Sequence, residues 1–258
     1  MVSSAPSAGV YGRLAALLRT GQAAALATAI SGPRPGAKLL VPSTGDPVGG
    51  IDPALDAAIA ADARRFLAAE QSHMQTYAAA EGAWEVFIES FPPPPRILIV
   101  GAVHTAIPLH RLAKELGYHV IVVDARAALA TPERFPLADQ VRVDWPDDAM
   151  RDLGLDSATS VVVLTHDPKF DEPALLAALA SNARYIGAIG SRGTHQARLD
   201  ALRAQGVSEA NLARIHAPIG LDLGGRTPAE IALAILAEIV AVRYQRAGGS
   251  LQQPPVAV

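Results

Sequence analysis

The sequence predicts an α/β protein in which a Rossmann-like parallel-sheet domain is preceded by a smaller α+β domain. Three observations carry this. Four consecutive prolines, Pro92–Pro95, cannot donate backbone hydrogen bonds and favour a stiff, extended connection. After them, short apolar runs alternate with helical stretches, the pattern of βαβ units with a parallel sheet. Before them, helical periodicity and short strands mix without that alternation, and Trp84–Phe91 alternates apolar and polar residues like a half-buried strand. The expected borders are 1–91 for the first domain, 92–95 for a proline linker and 96–246 for the second domain. Residues 247–258, rich in Gly, Gln and Pro, read as a flexible tail.

In the first domain Gly12–Arg19 has helical spacing, and Ala24–Ile30 and Ala37–Val41 read as strands. The Gly/Pro loop between them carries Arg34 and Lys38, two cations able to face an anionic ligand or simply to decorate a solvated turn. Gly45–Gly50 reads as a tight turn. It precedes Asp52 as an N-cap, with Pro53 at the first position of a long Ala-rich helix reaching Glu70.

In the second domain Ile97–Val100 and His119–Val123 are apolar strand candidates flanking a helix at Thr105–Leu116. Val141–Val143, Ser160–Leu164 and Tyr185–Ile189 continue the strand series, separated by helices near Asp147–Leu153, Glu172–Ser181 and Thr194–Gln205. The last helix is the best defined: Thr227 caps it, Pro228 takes its first position, Glu230 completes a capping box, and it is expected to run to Arg246.

Chemistry is expected where these strands end. Gly101, Ala102, Val103, His104 and Thr105 follow a buried strand and open a helix, the context that aims backbone N–H groups and the positive helix end at a phosphate. Asp124 closes the next strand, 23 residues beyond Gly101, where an acid can bind ribose hydroxyls; Arg126 can instead take a 2′-phosphate, so NAD and NADP stay open. Val103 stands where a dinucleotide turn has its second glycine, which leaves a Rossmann-shaped domain without dinucleotide binding as the second reading.

Thr165, His166 and Asp167 end one apolar run, and Gly190, Ser191 and Arg192 end another. Ser191 can cap the following helix, while Arg192 at a helix start suits an anion. The segment His216–Pro228, with Pro218, Asp222 and Arg226, carries too many apolar residues for a solvated connector and packs on something, whether a ligand or the sheet edge. By position at helix starts, His104 and His166 can donate to a phosphate or carbonyl oxygen or act as acid or base, and they are the proton donors if the chain is an oxidoreductase. His73, His110 and His119 read as structural or solvated.

Composition narrows the classes. At 258 residues, half of them hydrophobic and 18% charged, the chain is ordinary globular material. A net charge of −3 with no basic run argues against nucleic acid. The absence of cysteine excludes disulfides, thiolate metal sites and any thiol nucleophile from this chain, and no histidine pair has metal-ligand spacing, so no metal site is expected. The first residues lack the pattern of a signal peptide and no segment is apolar enough to span a bilayer, so a cytoplasmic, non-membrane protein is expected.

Several ordered stretches resemble the XdhC/CoxI family, accessory proteins of molybdenum hydroxylases such as xanthine dehydrogenase. They are Thr131–Pro136, Thr165–Asp167, Tyr185–Arg192, Arg214–Asp222 and Arg226–Pro228, with shorter N-terminal matches at Leu26–Thr28 and Pro33–Leu39. The resemblance implies an XdhC/CoxI-like first domain and a cytoplasmic homodimer that binds molybdopterin or molybdenum cofactor. It also implies partners: a cysteine desulfurase that sulfurates the cofactor and the apo-hydroxylase that receives it. Carried onto this chain, phosphate falls to Gly101–Ala106. The pterin falls to the loops around His166, Ser191–Arg192 and His216–Asp222, with Arg192 and Lys38 on anionic groups. The family's Gly-Gly-Cys appears as Gly49-Gly50-Ile51, without the thiol. An NAD(P)-dependent oxidoreductase on the same scaffold is the alternative.

Overall fold

The computed structural model describes residues 9–79 and 82–252; residues 1–8 and the last six of the expected tail, 253–258, lie outside the described residues. The chain divides into two compact units between Pro93 and Pro94.

The first unit contains α1 (Val10–Arg19), β1 (Ala24–Ser31), β2 (Lys38–Pro42), β3 (Val48–Gly50), α2 (Asp56–Ala68), β4 (His73–Ala79) and β5 (Gly82–Phe91). The strands form one antiparallel sheet in the order β3-β2-β1-β5-β4. Because side chains alternate across a strand, β1 serves two cores. Ala25, Ala27 and Ala29 pack under α2 with Ile59, Ala63 and Trp84, while Ala24 and Leu26 meet Leu14 and Leu17 of α1. The small residues of β1 let a helix approach each face.

Two expectations fail here. Gly45–Gly50 is not wholly a turn, since Val48–Gly50 pairs with β2 as an edge strand. Asp52 is not the N-cap of the following helix, which begins four residues later. Its Oδ1 instead accepts the Ala54 N–H, and its carbonyl accepts those of Leu55 and Asp56, forming a separate turn. Asp56 accepts the backbone N–H groups of Ile51 (2.8 Å) and Asp52, and the Arg34 guanidinium donates to the Ile51 carbonyl. Ile51 is thus held by its backbone on both sides, with its side chain wholly buried.

The second unit runs β6 (Arg96–Val100), α3 (Ala106–Glu115), β7 (His119–Val123), β8 (Gln140–Arg142), α4 (Pro146–Leu153), β9 (Thr159–Val163), α5 (Pro168–Leu179), β10 (Tyr185–Ala188), α6 (Arg192–Ala204), α7 (Glu209–Leu212), β11 (Ile215–His216) and α8 (Pro228–Arg243). All six strands are parallel, in the order β11-β10-β9-β6-β7-β8. This is the doubly wound dinucleotide-domain order, with its reversal between β6 and β9.

Each central strand is buried on both faces, which is why it reads as an uninterrupted apolar run. Ile97, Ile99, Val120 and Val122 pack under α3 and α8 through Leu109, Ile235 and Ile239. Leu98, Val100, Val161 and Val163 pack under the opposite helices through Met150, Leu175 and Leu202. Helix α8 carries the capping box of Thr227 and Glu230 and ends at Arg243, short of the expected Arg246. Helix α5 starts a turn earlier than expected, because the Asp167 side chain caps it and Pro168 and Pro173 are both accommodated.

Candidate functional site

In an open parallel sheet, the loops at the carboxyl ends diverge where the strand order reverses, leaving a crevice. Here that point lies between β6 and β9, and the loops facing it are Gly101–Thr105 and Thr165–Asp167. They touch. Gly101 has φ 101°, and a Cβ there would stand 2.6 Å from Thr165 Cγ2 and 3.1 Å from its backbone nitrogen, so only glycine closes the turn.

The turn is fixed from the neighbouring strand. Asp124, 4% exposed, accepts hydrogen bonds from the Ala102 N–H (2.8 Å) and from the Arg126 backbone N–H, Nε and Nη2. Burial pushes its carboxyl pKa upward, but the Arg126 guanidinium and the two backbone amides outweigh burial and hold it below the usual carboxylate range. Four donors fill the lone pairs of both oxygens. Asp124 therefore locks the turn, and Arg126 is held in the same pair.

The amides of Val103, His104 and Thr105 have no hydrogen-bond partner among the described residues. Val103 tucks its side chain against the α3 core, and Thr105 makes no side-chain cap. This half of the turn presents three free donors at the positive end of α3, which suits an anion.

Thr165 is buried and donates its hydroxyl to Asp171 Oδ1. Arg198 donates through Nη2 to Asp171 Oδ2 (2.9 Å) and to the Ile189 carbonyl (3.1 Å). This buried chain ties the ends of β9 and β10 to α5 and α6. Sequence reading missed both Asp171 and Arg198, which stand in helices already full of charge. Ser191 does cap α6, its Oγ accepting the Thr194 N–H. His104, His166 and Arg192 are exposed. No described residue forms an ion pair or a side-chain hydrogen bond with any of the three.

At the sheet edge the loop after β11 is pinned. Glu238 of α8 accepts the Tyr185 hydroxyl and the Gly220 N–H (2.8 Å), and its other oxygen lies 3.4 Å from His216 Nδ1. The His216 ring stacks on Tyr185 at 4.7 Å. Burial pushes the Glu238 carboxyl pKa upward, but His216, Tyr185 and the Gly220 amide outweigh it and hold it low; burial and Glu238 push the Tyr185 hydroxyl up. The loop thus packs on β10 and α8, with Pro218 and Asp222 exposed. Glu238 had a signal in the sequence, as the lone charge between Ile231 and Val242.

Lys38 belongs to the first unit, where its Nζ donates to the Gly36 carbonyl and lies 5.4 Å above the Tyr11 ring. Among the described residues no three acidic or histidine side chains converge as a metal site requires, and none of the helices is long and apolar enough to cross a membrane.

The family model for the XdhC Rossmann domain matches residues 97–239, more than half the chain, and that for the XdhC and CoxI family matches residues 17–78. The chain belongs to the XdhC and CoxI family. Its relatives within and around that family include a Bacillus subtilis protein named as a probable subunit of xanthine dehydrogenase. That protein is 31% identical over 61% of this chain and 46% of its own length. The Escherichia coli molybdenum cofactor insertion chaperone PaoD is 36% identical over 39% of this chain and 31% of its own length. The chain thus spans a third to a half of the curated relatives it matches. A solved Bacillus halodurans structure described as a xanthine dehydrogenase shares the XdhC-type fold at TM-score 0.53 and 20% identity, covering 94% of this chain and 98% of that one.

Proposed function

We propose that this XdhC-family chain is an accessory protein that binds molybdenum cofactor and delivers it to a molybdenum hydroxylase. The observation that carries the reading is the turn Val103–Thr105, whose three partnerless amides sit at the positive end of α3 beside the strand-order reversal. Such a group of fixed donors fits the terminal phosphate of a pterin cofactor. When bound, the cofactor supplies the molybdenum chemistry of the client enzyme.

This chain's own residues would hold and shield it. Gly101 and Asp124 shape the phosphate turn; Thr165, His166, Gly190, Ser191 and Arg192 border the crevice on its other side, and His216, Pro218 and Asp222 lie farther along the same sheet end. The names of the relatives support the class of cargo. In the finer version a cysteine desulfurase sulfurates the carried cofactor, the carrier is a cytoplasmic homodimer, and its partner is the apo-hydroxylase. The oxidoreductase alternative is the weaker reading, because both Asp124 oxygens are engaged by Ala102 and Arg126.

The test is retention of pterin. Purified protein is oxidised and its fluorescence read for pterin, and NADH and NADPH are titrated alongside. Retained pterin without nicotinamide binding is expected; micromolar NADPH binding coupled to reduction of a carbonyl would overturn the reading. Light scattering checks the dimer.

A further inference from the structure

We infer that the amino end of α6, together with the buried side chain of Arg198, is a second oxyanion seat, built for a phosphate group and separate from the Gly101 turn. Its physiological ligand rests on the cofactor-handling reading, but its chemistry does not.

Arg198 is 5% exposed and spends Nη2 on Asp171 and on the Ile189 carbonyl. Its Nη1 is buried and has no partner. A charged donor left unsatisfied in the interior costs about 1–3 kcal/mol or more, so buried groups of this kind are normally met by a ligand or water oxygen.

The surroundings show where that oxygen would come from. Gly190 has φ 143°, and a Cβ on it would stand 3.8 Å from Arg198 Nη1 and 3.2 Å from Thr194 Cγ2. The Gly190 turn, kept free of a side chain, therefore runs directly over Nη1. At its rim are the amides of Arg192 and Gly193, which have no partner among the described residues. The Ser191 and Thr194 hydroxyls hydrogen-bond each other at 2.9 Å, an arrangement that uses one of their two protons and leaves the other to donate. Two amides and one hydroxyl thus stand at the positive end of a 13-residue helix, with the guanidinium N–H behind the Gly190 turn that opens it. Four donors around one turn match the several acceptor oxygens of a phosphate better than the two of a carboxylate.

The position also constrains the ligand. β6 and β10 are the two neighbours of β9, so their carboxyl ends stand about 10 Å apart, twice the inter-strand spacing. A ligand engaging both seats carries two anionic groups across that span, with Thr165 between them.

The experiment is a titration of inorganic phosphate into the full chain at constant ionic strength, followed by the amide and arginine side-chain NMR signals, with acetate as comparison. Saturable shifts are expected at Arg192, Gly193 and the Arg198 guanidinium, with acetate weaker. Arg198→Lys keeps a charge near Asp171 but removes Nη1, and should weaken phosphate at this seat about tenfold, the worth of one charge-assisted hydrogen bond. A second variant avoids the buried core. Arg192 is the first helical residue and Ser191 is extended, so Arg192→Pro deletes one rim amide without strain, and it should bind phosphate several-fold more weakly than Arg192→Ala. Phosphate shifts confined to the Gly101 turn would overturn the seat. So would wild-type affinity at this seat in both Arg198→Lys and Arg192→Pro. Failure to retain pterin while phosphate still binds here would count against the cofactor reading alone.

Discussion

The turns at Gly101 and Gly190 end parallel strands of one sheet, but an acid organises the first and a base the second. At Gly101 the acid Asp124 reaches across from the next strand and is saturated by four donors, so the spare capacity of that turn lies in its backbone. At Gly190 the base Arg198 reaches back from the following helix and keeps one nitrogen unspent, so spare capacity lies in a side chain as well. The glycines differ in the same sense. The Gly101 site is closed by the side chain and backbone of Thr165, whereas the space beside Gly190 is bounded by side-chain atoms of Thr194 and Arg198 alone. A parallel sheet can therefore present two anion-facing turns whose affinities are set by different residue types.

The largest effect should come from crowding the closed turn. Gly101→Ala combines a positive φ with contact against backbone and should cost about 3–5 kcal/mol, against about 1–2 kcal/mol for Gly190→Ala, read as the shift in urea unfolding. Equal costs would break the distinction. Next, Asp124→Ala should cost about 2–4 kcal/mol, because it strands the Ala102 amide and the Arg126 guanidinium.

Acid dependence sharpens this. The folded pKa of Asp124 lies below its unfolded value of about 3.9, so its contribution is complete above that pH and is lost as pH falls through the folded value. Asp124→Asn should flatten the stability profile below about pH 4 relative to wild type, measured by urea midpoints across that range. The smallest effects test the caps. Ser191→Ala should cost about 1 kcal/mol because its oxygen caps α6, while Thr105→Ser should cost under about 0.5 kcal/mol because α3 has no side-chain cap.

The parts of the fold that sequence made legible are those whose pattern has a single physical cause. Strands buried on both faces gave apolar runs at Ile97–Val100 and His119–Val123, and the Thr227–Glu230 box announced α8. Elements without such a cause escaped. β4 is an edge strand with mostly exposed side chains, β11 has two residues and α7 four. The candidate site was legible as backbone, through glycines at strand ends, but not as side-chain pairing. Nothing in the spacing of Asp171 and Arg198, 27 residues apart on two helices, distinguishes them from the solvated charges around them. Asp124 is legible by its place at the end of a strand, but its pairing with Arg126 and Ala102 is not, because that depends on rotamers that spacing does not encode.

The clamped backbone at Ile51 has a consequence for chemical reactivity. The residue that the family resemblance sets at the cysteine position points its side chain into the first unit's core, with Asp56 on its N–H and Arg34 on its carbonyl. A thiol installed there by Ile51→Cys would be sheltered from alkylating reagents and oxidants in the folded protein and would react only as that unit opens. Its labelling rate would then serve as a clock for local unfolding.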